Sequence, residues 1–204
     1  MSQSTGGAPA RPQGRLEDCN LLVSFAWRAP GRARREVRGR LRALGDPAPI
    51  TVPTLSNGLL AAKTALDPRG VVRELRALCQ ASPQVLRHTT RWVPVDVWSP
   101  PDLVAMREAV MALASRIAPQ ETWRITVEKR SGAVLDREEV IRAVAPLVPA
   151  VVNLIHPDKI LLVELFGNRV ALAVLAPPEV LSIATMQVTR AQPGAAGKSG
   201  DEPA

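Results

Sequence analysis

Residues 28–42 hold seven arginines (Arg28, Arg32, Arg34, Arg35, Arg38, Arg40 and Arg42) against one acid, Glu36, a local charge of +6. Such a segment sets up a field that attracts polyanions, and the arginine fork can hold a phosphate through two hydrogen bonds at once. The 204-residue chain carries +7, and neither residues 1–18 nor residues 190–204 contribute to that excess. Other basic residues fall on strand-like stretches. Arg87 and Arg91 stand four apart, hence on one strand face. Arg124, Lys129 and Arg130 lie on a stretch that ends in Ser131-Gly132, and Lys159 follows Pro157-Asp158. The candidate RNA-contacting residues are therefore Arg28, Arg32, Arg35, Arg38, Arg87, Arg91, Arg124, Lys129, Arg130 and Lys159. A plainer reading stands beside this one. The chain is rich in arginine throughout, and these positions also suit a solvated helix face with rim salt bridges to Asp96, Glu128 and Glu164. Trp92, Trp98 and Trp123 likewise fit either base-stacking platforms or packing beside buried strands.

Other chemistries find little support. No GxGxxG or GxxxxGK[ST] loop occurs, which counts against a nucleotide- or methyl-donor-dependent enzyme. His88 lies in a strand-like stretch and His156 in a turn before Pro157, and neither has a nucleophile motif nearby. Glu138-Glu139 opens a helix, where the dipole favours negative charge. Two cysteines and two histidines do not make a zinc site or a disulfide framework. Cys19 and Cys79 read as incidental thiols of a reducing compartment. No catalytic residue, metal or cofactor is expected.

The elements that would position the basic residues follow from periodicity. Hydrophobic residues make up 46 % of the chain and aromatics only 3 %, so aliphatic side chains must build the core. Residues 20–26 (NLLVSFA) read as a buried strand. Val37, Leu41 and Leu44 then recur at helical spacing beside an arginine stripe, and Gly45 closes that helix. Residues 50–53 and 59–64 form strands around Ser56-Asn57-Gly58. Asp67 caps a helix that starts at Pro68. Residues 86–98 resume as an extended stretch in which Pro94 suggests an edge position. This order, β-α-β-β-α-β, is the ferredoxin-like one. In the second half Ser99 is expected to cap a helix through Leu103, Met106, Val110, Leu113 and Ile117. A strand over 121–129, a helix opened by Asp136, a hairpin around Gly167-Asn168 and a last short strand at 180–183 follow. The expected fold is α+β in two units, 19–98 and 99–185, with residue 70 as an alternative start for the second. Flexible tails are expected at 1–18 and 186–204. No apolar run is long enough to span a bilayer and no signal peptide opens the chain, so the expected location is the cytoplasm.

Four stretches carry a family resemblance: NLLVSFAWR (residues 20–28), LRHTTRWVPVD (86–96), WRITVEKR (123–130) and HPDKILLVELFGNRVALAVL (156–175). In order and spacing they resemble the THUMP-domain adaptor proteins of tRNA cytidine N4-acetylation. The family usually has His where this chain has Ser131, and Asn where it has His156. The resemblance implies an N-terminal ferredoxin-like unit packed on a THUMP unit, and tRNA binding through the acceptor arm and its 3′ end. It further implies that no catalysis occurs on this chain and that the tRNA is delivered to a separate acetyltransferase. Two alternatives stay open: an RNA-binding accessory unit of a methyltransferase or thiolation enzyme, and a protein-interaction scaffold.

Overall fold

The structure is a computed structural model that describes residues 14–26 and 28–186. Of the expected tails, residues 1–13 and 187–204 lie outside the described residues. Residues 14–18 lie inside them. Leu16–Asp18 form a 3-10 turn, Leu16 packs on the apolar layer between the sheets, and Glu17 pairs with Arg169. The single apolar Leu16 anchors a stretch whose polar composition suggested a tail.

The first sheet is built from β1 (Leu21–Phe25), β2 (Ile50–Pro53), β3 (Leu59–Lys63) and β4 (Thr89–Pro94), with α1 (Pro30–Ala43) and α2 (Pro68–Ala81) between them. Their spatial order is β4-β1-β3-β2, with every pair antiparallel. This is the expected ferredoxin-like arrangement. Local chemistry sets the helix ends. Gly45 takes φ +104°, a left-handed conformation that suits glycine, and stops α1. The Asp67 carboxylate accepts from the Arg69 and Gly70 N–H groups and starts α2.

The second sheet has the order β5-β9-β8-β6-β7: β5 (Val97–Ser99), β9 (Arg169–Leu175), β8 (Lys159–Phe166), β6 (Thr122–Lys129) and β7 (Val151–Val152). β6 runs parallel to β7 and β8, while β8, β9 and β5 are antiparallel in turn. Helices α3 (Leu103–Ala114) and α4 (Arg137–Val144) cover its outer face. Ser99 does not cap α3. It lies in β5, and Asp102 caps instead by accepting from the Ala105 N–H. Two prolines separate Ser99 from the helix, and a residue before proline is held away from helical geometry.

The sheets exchange chain at two points. The extended stretch over 86–98 is broken after Pro94, and its last part, β5, pairs with β9 of the second sheet. The last short strand, β10 (Leu181–Ser182), returns to the first sheet and pairs with Trp92 and Arg91. β4 is therefore flanked on both sides over those residues. Pro94 lies past the end of β10, where its missing N–H leaves no ladder bond unmade.

The layers run helices, sheet, sheet, helices. One core lies between α1, α2 and the first sheet (Leu21, Val23, Val37, Leu60, Val72, Trp92), and another between α3, α4 and the second (Met106, Trp123, Val140, Leu161, Leu172). Between the sheets Leu22, Leu59, Ala61 and Val93 meet Ile160, Leu162, Phe166, Ala171 and Ala173. β8 and β9 are thus buried on both faces, which is why ILLVELF and VALAVL read as continuous apolar runs without alternation. Glu164 is the charged interruption, and it is fully buried in the layer between the sheets.

Candidate functional site

The ten candidate basic residues divide into two groups by what surrounds them. Arg91 and Arg130 converge on Glu164. The Arg91 Nη1 donates to its Oε1 at 2.5 Å, and the Arg130 Nε and Nη2 donate to Oε2 and Oε1 at 2.8 and 3.2 Å. Burial works against the Arg130 charge, but the hydrogen bonds and the charge of Glu164 outweigh it, so that this guanidinium holds its proton more firmly than usual. A second interior carboxylate, Asp96, receives Arg69 at 2.9 Å, Arg116 at 2.8 Å and the Val174 N–H at 2.9 Å. These two clusters link elements of both sheets.

Three more candidates are also engaged. Lys159 pairs with Glu121 at 3.5 Å and Lys129 with Asp136 at 3.7 Å. Arg124 donates through Nη1 to the Leu154 carbonyl, while its Nε is buried without a hydrogen-bond partner. The loop it reaches is tightly stitched. Asn153 accepts from the Ile155 and His156 N–H groups, and Asp158 accepts from the backbone N–H and hydroxyl of Thr122. The Thr122 N–H and hydroxyl hold the Asp158 carboxyl below the usual carboxylate range.

The other group gathers on and beside α1. Val37 and Leu41 turn that helix inward, and its outer face carries Arg32, Arg34, Arg35, Arg38 and Arg42. None of these five side chains makes an ion pair or hydrogen bond among the described residues. The helix's one acid does not neutralise them, because Glu36 is committed elsewhere. It accepts from the backbone N–H groups of Arg87, His88 and Thr89 at 2.7, 3.1 and 2.9 Å, and from the Thr89 hydroxyl at 2.7 Å. That clamp holds the start of β4 against α1 and brings His88 beside Arg32 and Arg35; Arg87 is exposed, and its Nε donates to the Gln84 carbonyl at 3.4 Å. A shallow cavity of about 570 Å³ lies there, lined by Arg32, Arg35, Glu36, Arg40 and His88. Arg28 is exposed two residues before the helix.

This arrangement opposes helix stability. Arg32 stands in the first turn, where the dipole disfavours a cation. Arg34, Arg38 and Arg42 repeat like charge at i, i+4, each pair destabilising by about 0.2–0.5 kcal/mol. Arg34 and Arg42 are not among the ten candidates, although their spacing from Arg38 is visible in the sequence. Trp92 and Trp123 are fully buried, and their indole N–H groups donate to Thr89 and Ala150. Trp98 donates to the Cys19 carbonyl and packs on Phe166 with ring centroids 5.7 Å apart. All three tryptophans therefore pack internally and none is a stacking platform.

Among the described residues no helix is long and apolar enough to cross a membrane. Comparison with known proteins adds the following. No curated protein matches the sequence. Among solved structures, PH1313 from Pyrococcus horikoshii Ot3 superposes with a TM-score of 0.58 at 13% identity, over 77% of this chain and 54% of that one. TrmN from Thermus thermophilus superposes with a TM-score of 0.50 at 14% identity, over 76% of this chain and 44% of that one. The present chain thus spans about half the length of the structures it resembles, and at these identities the likeness is one of fold. The THUMP domain family model matches residues 102–175, the segment from the Asp102 cap of α3 to the end of β9. The chain accordingly carries a THUMP domain over residues 102–175, and the unpaired arginines of α1 lie outside it, on the ferredoxin-like sheet that precedes it.

Proposed function

We propose that the protein is a tRNA-binding adaptor that does no chemistry itself and presents the acceptor arm of tRNA to a separate cytidine acetyltransferase, which forms N4-acetylcytidine. The observation that carries the RNA-binding part is the outer face of α1. Five guanidinium groups stand there without an ion pair among the described residues, at a local expense in helix stability that a polyanion would relieve. Arg32, Arg35 and Arg38, with Arg28 and Arg87 beside them, form the phosphate grip. Arg91, Lys129, Arg130 and Lys159 are left out of it because each pairs with a carboxylate, and Arg124 because its Nε is buried and its Nη1 is held by the Leu154 carbonyl; Arg28 and Arg87 stay exposed. A helical RNA arm is recognised through shape, phosphates and 2′-hydroxyls, which suits an arginine-lined helix more than a deep pocket. The acetylation part rests on the resemblance of the NLLVSFAWR, WRITVEKR and HPDKILLVEL stretches to the adaptor family.

The test is a salt titration of tRNA binding. With about five phosphates neutralised, log K falls against log salt with a slope of about −4, roughly a 250-fold loss between 50 and 200 mM. Arg32→Glu/Arg35→Glu weakens binding and flattens the slope. A flat salt dependence, or unchanged binding by that variant, overturns the phosphate grip. The adaptor role is checked separately, by measuring N4-acetylcytidine formed on tRNA by the acetyltransferase with and without this chain.

A further inference from the structure

The shallow cavity beside α1 is lined in part by a residue without a side chain. Gly39 lies there, in the interior of the helix, and is exposed. Glycine is a poor helix former, so its presence there lowers the stability of α1. Neither of its usual reasons applies. Its φ is not positive, and a Cβ built on it meets nothing within 4 Å. What the missing side chain does is leave the cavity open among Arg32, Arg35, Arg40 and His88. We propose that this cavity holds the 5′-terminal phosphate of the bound RNA, with the terminal ribose over Gly39. The inference rests on the tRNA reading and names the part of the RNA that this face selects.

The basic groups of the cavity suit a phosphomonoester. Arg40 is fixed in place, because its Nη2 donates to the Val85 carbonyl; the other N–H groups of its fork are left for a ligand. The Arg32 and Arg35 guanidinium groups and the half-buried His88 imidazole make no ion pair or hydrogen bond among the described residues. Glu36 also lines the cavity, but its oxygens already accept from the backbone of residues 87–89 and from the Thr89 hydroxyl. A phosphate within an RNA strand carries a single charge and is bridged to sugars on both sides, which keeps it flush with the convex surface of a helical arm. A terminal phosphate carries about −1.5 to −2 charges near pH 7, has three free oxygens and projects from the strand end. A concave site with several donors therefore favours the terminus, and guanidinium forks hold it through paired hydrogen bonds. The acceptor arm of a tRNA ends in one such group. The volume of about 570 Å³ exceeds that of a phosphate and has room for the ribose as well. A stacked base gains less, because His88 is the only ring among the described residues of the lining.

The probe is one tRNA transcript, labelled at its 3′ end and prepared with a 5′-monophosphate or, after phosphatase treatment, with a 5′-hydroxyl. The full chain is titrated into each at one salt concentration. Removing the phosphate weakens binding roughly fivefold or more, through the loss of charge-assisted hydrogen bonds at a partly exposed site. Gly39→Leu fills the cavity with a better helix former, so the helix is kept. That variant binds the two forms equally, close to the parent's affinity for the 5′-hydroxyl form. Equal affinity of the parent for both forms overturns the proposal; if that binding is still steep in salt, the phosphate grip of α1 stands without it. A preference for the 5′-phosphate that survives in Gly39→Leu puts that phosphate elsewhere and overturns the proposal as well. So does a nucleoside 5′-monophosphate that binds the parent, fails to bind Gly39→Leu and is not displaced by tRNA, which assigns the cavity to a small nucleotide.

Discussion

Substituting Glu164 by Gln removes one charge and almost no volume, at the place where the two sheets are pinned together. Its carboxylate is fully buried, and it holds two guanidinium groups whose side chains are only 20% and 25% exposed. Breaking a buried pair from one side costs about 3–5 kcal/mol, because the remaining charge stays desolvated without its partner. Here two cations are stranded, but each keeps part of its surface in water, which points to the lower figure. A loss of about 3 kcal/mol corresponds to a fall in Tm of roughly 6–12 °C for a chain of this size. Urea unfolding followed by circular dichroism and by tryptophan emission measures it, since Trp92 and Trp123 report one sheet core each. The combined variant Arg91→Met/Arg130→Met/Glu164→Leu recovers most of the loss, because a well-packed apolar set can replace a buried ion cluster. A loss below about 1 kcal/mol for Glu164→Gln, or a combined variant less stable than the single one, would refute the reasoning that desolvated charge governs this layer.

Other expectations follow from local geometry. Asp46 follows the Gly45 stop of α1; burial raises its pKa, but the Thr64 hydroxyl, the Ala48 and Ala65 N–H groups and nearby Arg42 together bring it below the ordinary range. The unfolded chain therefore takes up the proton first. The stability Asp46 contributes is complete above the ordinary carboxylate range, about pH 4, and is lost as pH falls toward the folded value. Denaturation from pH 6 to about pH 3 shows a shallower decline for Asp46→Asn than for the parent, and identical slopes would contradict the assignment. Cys19 is buried, and burial, helped by the charge of Asp18, pushes its thiol up to about 12. An aromatic disulfide reagent at mildly alkaline pH thus labels neither Cys19 nor the buried Cys79 until denaturant is added; rapid labelling of the native protein would show the seam beside β1 to be open.

Much of the fold was legible because it is written in local chemistry. Asp67 with Pro68 starts α2, Gly45 ends α1, and alternation places Trp123 and Val127 on one face of β6, all within a few residues of sequence. The split β-α-β order followed from the succession of such elements. Legibility failed where local signals competed or where the decisive partner was distant. Two helix-start signals stood close together, and the prolines between Ser99 and Asp102 favoured the later one. The stretch over 86–98 looked continuous, yet its last residues pair with β9, more than seventy positions on.

The candidate site divides along the same line. The sequence by itself determined that a helix over residues 32–44 would carry a dense row of arginines, because residue type and helical period fix which face they share. Only the tertiary structure decided which cations remain available. Arg91 and Arg130 lie 73 and 34 residues from Glu164, and only the packing of the two sheets brings that acid between them. Glu36 stands among the arginines in sequence, but folding turns it to the backbone of residues 87–89 and leaves the outer arginines of the helix without an ion pair among the described residues. Charge pairing is short-ranged in space and indifferent to distance along the chain, so its outcome is fixed by the packed fold.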